Sequence, residues 1–209
     1  HRRQTKKNRL VSMAIFKSAK PESLASGANL ITLLRLVTSL IFFCLAAIYH
    51  LELYNYLGLG IHWLGDWLDG FWARTFQQRT IIGAEIDIIA DRIESLFFFI
   101  NFIFFHPGLA LPVTLYIMNF AFVDFYLSYQ FIKFDIISID FFYLVDQKVY
   151  RLNFSQSGKF INSTVIPLLL ILLPGWWPVT LILTAGLMGV KLYSIFLLRK
   201  KESLARQAK

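Results

Sequence analysis

The sequence is poor in cysteine, poor in charge and free of internal repeats or low-complexity tracts. Its 209 residues hold one cysteine, Cys44, set in an apolar run. That excludes a disulfide framework and a cysteine metal knuckle. Charged residues make up only 16%, against about 25% in a soluble domain. What fills the chain instead is apolar. Hydrophobic residues reach 56%, phenylalanine alone occurs 21 times, and the mean hydropathy is +0.56. A globule of this size has too little interior to hide that excess. A disordered chain and a soluble nucleic-acid binder both fall away, and the composition is that of an integral membrane protein.

The net charge of +8 is explained by its placement. Seven of the 21 Lys/Arg lie in the first 20 residues, and five more (Arg199, Lys200, Lys201, Arg206, Lys209) close the chain. Basic clusters beside hydrophobic segments attract anionic lipid head groups at about 1 kcal/mol per residue. They point to a membrane surface and not to nucleic acid. The basic start runs directly into long apolar stretches, so no cleavable signal peptide is expected. Between the lysines, Leu10, Val11, Met13, Ala14, Ile15 and Phe16 suit a short helix lying on the membrane, with a flexible tail as the other reading.

A membrane span needs about 20 mostly apolar residues. Six stretches qualify, at 29–50, 53–74, 83–105, 109–132, 157–173 and 178–198. The fifth is short and carries Pro167, which predicts a kink or tilt. The loops after the first, third and fifth contain no Lys or Arg. The loop after the second carries Arg74 and Arg79, and the one after the fourth carries Lys133, Lys148 and Arg151. This alternation places both termini on the cytoplasmic side. The expected fold is all-α: a polytopic membrane protein of about six transmembrane helices with an N-terminal interfacial amphipathic helix. Its parts are a basic segment at 1–28, a membrane domain at 29–198 and a basic tail at 199–209.

The informative residues are carboxylates inside spans, each costing several kcal/mol without a partner, a cavity or an ion. Asp66 and Asp69 sit near the inner end of the second span, Asp87 and Asp91 near the start of the third. Spacings of three and four put each pair on one helical face. Four crowded carboxylates repel one another, and bound divalent cations relieve this; oxygen-only ligands indicate hard ions such as Mg²⁺ or Mn²⁺. Gly70 and Ala73 follow Asp69, and Gly83 stands one turn before Asp87. These small residues allow either tight helix packing or the close approach of something bulky. Arg74 can fork onto a phosphate.

Together the residues read Asp66-x-x-Asp69-Gly70-x-x-Ala73-Arg74, eight residues, then Gly83-x-x-x-Asp87-x-x-x-Asp91. This resembles the signature of the CDP-alcohol phosphotransferase family at every fixed position. At average residue usage it arises by chance roughly once in 10¹⁰ placements. The first span opens Ala28-Asn29-Leu30-Ile31-Thr32-Leu33-Leu34-Arg35, similar to a family element that lines the nucleotide pocket, with alanine where members often have proline. A helix cap followed by a snorkelling arginine is the other reading of those residues.

The resemblance implies a membrane enzyme of phospholipid synthesis. It transfers a substituted phosphate from CDP-diacylglycerol, or a related CDP-alcohol, to a small polar alcohol and releases CMP. It implies a two-metal Mg²⁺ or Mn²⁺ site on Asp66, Asp69, Asp87 and Asp91, with Asp91 as general base. Asn29, Thr32, Gly70, Ala73, Arg74 and Gly83 would bind the CDP group. Gly83-Ala84 and Asp91-Arg92 lean toward the inositol-type branch, with glycerol 3-phosphate as the alternative acceptor. For a phosphate on the acceptor, Lys133, Lys148, Arg151 and Lys159 are the available cations, unless they serve topology alone. A homodimer is allowed. Outside the enzyme class stands a divalent-cation transporter, disfavoured because such proteins show repeats and broken midplane helices. Among the remaining polar residues, His62 is expected to bond a neighbouring helix, Arg92 and Glu94 to pair with each other or across helices, Asp124 to need a partner in either a structural or a site role, and Lys191 to snorkel.

Overall fold

The described residues of the protein in this computed structural model are 24–134 and 136–207, with side chains to 203. The amphipathic helix expected around residues 10–16 lies outside them. The main helices are α1, Gly27–Tyr49, α2, Glu52–Thr75, α3, Ile81–Phe105, α4, Pro107–Phe134, α5, Gln156–Leu172, and α6, Trp177–Gln207. No strand occurs among the described residues, in keeping with the all-α expectation.

Helix starts follow from local chemistry. The Ser26 hydroxyl accepts from the Asn29 amide at 3.1 Å, and the Thr80 hydroxyl from the Gly83 amide at 3.0 Å; each satisfies a donor that a helix N-terminus leaves open. His50 ends α1 in the left-handed region, at φ 54°. Two residues then separate α1 from α2, and five separate α2 from α3, so neighbouring helices run antiparallel. α1 packs against both of the others. The approach of α1 to α2 depends on missing side chains: a Cβ on Gly58 would come within 2.5 Å of the Phe43 ring.

α4 and α5 are less regular. α4 widens into a π-helical turn at Asn119–Asp124. α5 does the same at Ile161–Val165, just before Pro167. Proline has no N–H, so the Ser163 carbonyl loses its usual helical donor; the Tyr116 hydroxyl of α4 approaches that carbonyl at 3.5 Å. The connection from α4 to α5 folds into short helical turns at Ile139–Leu144, Gln147–Val149 and Tyr150–Phe154.

α1, α4 and the stretch Pro174–Ser203 are long and apolar enough to cross a membrane. α2 and α3 have 24 and 25 residues, about 36 Å at helical rise, but they carry the charges of the site. Large apolar side chains such as Leu30, Ile41, Phe122, Ile182 and Phe196 point outward and are exposed. An exposed apolar surface marks a contact with membrane or protein, and here it lies on helices long enough to span a membrane. The protein is an integral membrane protein.

Two apolar cores are stacked along the bundle. One gathers Phe43, Phe98, Phe99, Phe102, Val113, Tyr116 and Leu170; the other gathers Ile88, Leu127, Phe131, Phe142, Val149, Phe154 and Leu198. Along α3, α4 and α6 the boundary between them falls at Arg92, Asp124 and Lys191. These three meet: Arg92 donates to Asp124 Oδ2 at 2.5 Å, and Lys191 Nζ lies 2.8 Å from Oδ1. Arg92 also covers the Phe120 ring at 3.7 Å. Lys191 therefore does not snorkel. Its side chain is fully buried, because it faces Asp124 of α4 from the middle of α6. Removing one partner of a buried ion pair costs about 3–5 kcal/mol. Asp124→Asn leaves two buried cations facing a neutral amide and is expected to lower stability by about that much. Combining it with Lys191→Met should recover part of the loss in a double-mutant cycle of melting measurements.

Candidate active site

One face of α1 carries Asn29, Thr32, Arg35 and Ser39, all buried. It is turned toward the acidic faces of α2 and α3. The aliphatic stem of Arg35 crosses α2 at Gly65, where a Cβ would stand 2.4 Å from its Cγ and Cδ. Glycine at 65 thus lets the guanidinium reach the middle of the three-helix group. There its nitrogens lie 2.9 Å from Asp91, 3.3 Å from Glu94, 3.4 Å from Asp66, and 3.5 Å from both Asp69 and Asp87. The Arg35 side chain is 1% exposed. Sequence reading offered it as a pocket element or a snorkelling cation; the structure makes it the common partner of five carboxylates.

The carboxylates differ in surroundings. Asp69 is buried and accepts from the Thr32 hydroxyl at 2.8 Å. Glu94 is fully buried and held by Ser39 at 2.5 Å and His62 Nδ1 at 2.8 Å. The Asp66 side chain is half exposed, and Asp87 and Asp91 are partly so. One guanidinium cannot neutralise five carboxylates, even with His62 beside Glu94. A divalent cation suits the remaining charge: Asp66, Asp69 and Asp87 each offer an oxygen, all within 4.8 Å of one another, while Asp91 groups in the same way with His62 and Glu94. Oxygen-only donors at the first trio match a hard ion.

Two cavities open onto this acidic cluster. The first, about 300 Å³, is lined by Asn29, Thr32, Gly70, Ala73, Arg74 and Gly83 together with Asp66, Asp69 and Asp87. A Cβ on Gly83 would stand 2.9 Å from Asn29 Oδ1, and one on Gly70 would stand 3.1 Å from Arg74 Nη1. Both glycines keep the wall thin where side chains already crowd. The second cavity, about 290 Å³, runs from Asp66, Asp87 and Asp91 to Asp124 and α5. Asp66, Asp87 and Lys159 line both.

The remaining expected residues lie elsewhere. Lys133, Lys148 and Arg151 line neither cavity. Lys148 donates to the Tyr193 hydroxyl at 3.0 Å, and Lys133 lies over the Tyr126 ring at 5.9 Å.

The family model of CDP-alcohol phosphatidyltransferases matches residues 26–190, a stretch that contains both cavities and the whole acidic cluster. The chain belongs to the CDP-alcohol phosphatidyltransferase family. No curated protein and no solved structure matches it. Membership makes it a transferase of phospholipid synthesis that acts on a CDP-alcohol in a lipid environment.

Several residues of this phosphatidyltransferase had no clear sequence signal. Gln78 accepts from the Ala28 amide at 3.2 Å and ties the start of α1 to the α2–α3 loop. Asp140 takes Lys159 Nζ at 2.6 Å and Arg79 at 3.5 Å, joining that loop to α5 across the wall of the first cavity. For Arg35, Ser39 and Glu94 a signal did exist: polar residues at helical spacing inside otherwise apolar stretches.

Two outcomes follow from these contacts. Arg35→Ala leaves buried carboxylates without their shared cation and should destabilise by about 3–5 kcal/mol in EDTA. Millimolar Mg²⁺ should restore part of this, because it serves the same carboxylates. Melting curves with and without Mg²⁺ test it, and a variant indifferent to the ion would refute the shared role.

Asp140 responds to acid. Burial raises its pKa, but Lys159, then Arg79 and Arg74, outweigh burial and hold the carboxyl below its ordinary value. A depressed carboxyl contributes stability above the ordinary aspartate pKa and loses it as pH falls through the lowered value. The gap in melting temperature between wild type and Asp140→Asn should be full at neutral pH and close in acid.

Proposed function

We propose that the protein transfers the phosphatidyl group of CDP-diacylglycerol, or the equivalent group of a related CDP-alcohol, to a small polar alcohol and releases CMP. The observation that carries this is the junction of two cavities at Asp66 and Asp87, with Asp69 on the first cavity alone and Asp91 on the second alone. A donor with its pyrophosphate against Asp66, Asp69 and Asp87 and an acceptor beside Asp91 would meet where both cavities open. Asn29, Thr32, Gly70, Ala73, Arg74 and Gly83 suit the nucleotide side. Arg74 is exposed at its rim and is suited to forking onto a phosphate.

Asp66, Asp69 and Asp87, with Asp91 at the edge, would hold Mg²⁺ or Mn²⁺, which supplies charge neutralisation for the pyrophosphate and the departing CMP. The chain's own contribution is positional and acid–base. Arg35 keeps the four aspartates in register. Asp91 stands on the acceptor side, where its carboxylate can take the hydroxyl proton if the alcohol comes within hydrogen-bond reach. The acceptor oxygen forms a bond to the lipid-side phosphorus, and the bond from that phosphorus to the CMP oxygen breaks with its electron pair.

We further read α1–α6 as six spans with both termini and the site at the cytoplasmic face. The Lys/Arg distribution supports this, as do the positions of Arg74 and Arg79 beside the acidic cluster.

The test is CMP release from CDP-diacylglycerol by the purified protein, with a panel of alcohols. Activity should vanish in excess EDTA and return with Mg²⁺ or Mn²⁺. Asp91→Asn should lower kcat at least about a hundredfold, the lower range for a lost general base, with CDP-lipid binding retained. Full turnover in EDTA would refute the metal reading. Loss of CDP-lipid binding in Asp91→Asn as complete as in Asp69→Asn would move Asp91 to the metal.

A further inference from the structure

The second cavity says which kind of alcohol it takes. Its cations among the described residues, His62 apart, are Arg92 and Lys159, and both are already committed. Arg92 donates to Asp124 at 2.5 Å and is stacked on Phe120. Lys159 donates to Asp140 at 2.6 Å. Lys191 supports Asp124 at 2.8 Å and does not line the cavity. A phosphate monoester brings about two negative charges near neutral pH and only acceptor oxygens. To gain Arg92 it must loosen a buried pair with Asp124, which is unfavourable, and Lys159 is already shared with Asp140 in a partly exposed pair.

The wall offers acceptors instead. Asp91 and Asp124 line it with carboxylates, and Asn153 and Asn162 line it with side-chain amides. The orientation of both amides follows from their donors. Asn153 Nδ2 gives its protons to the Val149 carbonyl at 3.1 Å and to Ser194 Oγ at 2.8 Å; the Ser194 proton itself goes to the Val190 carbonyl at 2.9 Å, so that hydroxyl must accept. Asn162 Nδ2 gives its protons to the Gly158 and Leu152 carbonyls at 2.7 and 3.1 Å. In each residue Oδ1 is therefore the acceptor end, and in each it has no hydrogen-bond partner. The residues are only 4% and 3% exposed. A buried acceptor left unpaired costs about 1–3 kcal/mol, a penalty that a ligand hydroxyl removes.

Acceptors in excess and cations already paired select for O–H donors. Resting on the transferase reading above, we propose that the acceptor is an uncharged polyhydroxy alcohol, and that the Asn153 and Asn162 side-chain oxygens and Asp124 receive its non-reacting hydroxyls. One further hydroxyl attacks the lipid-side phosphorus. Its oxygen forms the new P–O bond, its proton passes to Asp91, and the P–O bond to CMP breaks with the electron pair leaving on CMP.

The experiment compares matched pairs on the wild-type full chain with CDP-diacylglycerol and Mg²⁺: myo-inositol against myo-inositol 1-phosphate, and glycerol against glycerol 3-phosphate. For at least one pair the free polyol should exceed its phosphate by about tenfold or more in kcat/KM, since a phosphate must compete with Asp124 and Asp140 for the wall's cations while facing Asp91. Equal or better use of the phosphorylated members overturns this inference and leaves the transferase reading intact. Turnover with none of these four compounds but with another alcohol of the panel overturns this inference alone, and the absence of CMP release with every alcohol overturns the transferase reading and this inference with it. Asn162→Leu adds a second readout. It should raise KM for the free polyol about tenfold while KM for the CDP-lipid holds. An equal rise in both constants would mark a structural role and remove Asn162 from the acceptor site.

Discussion

A single buried guanidinium organises this protein. Arg35 sits where five carboxylates from two helices converge, and any one of them buried alone would be costly. The surrounding structure exists to let that happen. Gly65 clears the path of the arginine stem, and Gly58 lets Phe43 and the α1 backbone come close to α2. Thr32, Ser39 and His62 each fix one of the acids by a hydrogen bond. The arrangement remains acidic overall after Arg35 is counted, so it keeps an affinity for further cations. That is the property a pyrophosphate-binding metal site requires.

A second ionic group has a different task. Arg92, Asp124 and Lys191 close on one another between two apolar cores. They join α3, α4 and α6 beside the second cavity, which Arg92 and Asp124 line. The π-helical turn Asn119–Asp124 ends at this carboxylate. Irregular backbone is tolerated at membrane depth when it is buried in protein or lines a cavity, and Asp124 does line one. The same holds for the π turn before Pro167, where Tyr116 approaches a carbonyl that proline leaves without its helical donor.

Much was legible in order along the chain, because membrane burial writes strong local signals. Helical class, the apolar stretches and the small-residue and aspartate spacing depend on composition and helical period, and both are properties of short segments. The family resemblance rested on eight residues within 26 positions and is matched by the family model over 26–190. Asp66, Asp69, Asp87 and Asp91 stood out because charge is rare in such segments. Lys133, Lys148, Arg151 and Lys159 did not separate from one another by sequence, since a basic residue on an inner loop reads the same whether it faces lipid head groups or a cavity.

By itself, then, the sequence determined that this chain is helical, lives in a membrane and gathers acids on two neighbouring helices. The tertiary structure decided everything that depends on distance between helices. It made Arg35 a shared counter-ion and not a snorkelling residue, and it buried Lys191 against Asp124. Of four lysines and arginines it brought Lys159 alone to the cavities, already bound to Asp140. It also left two asparagine oxygens unpaired at a cavity wall. The reason is physical: helical period tells which residues share a face, but the rotation and separation of packed helices decide which faces meet, and a hydrogen bond or ion pair exists only within about 3–4 Å.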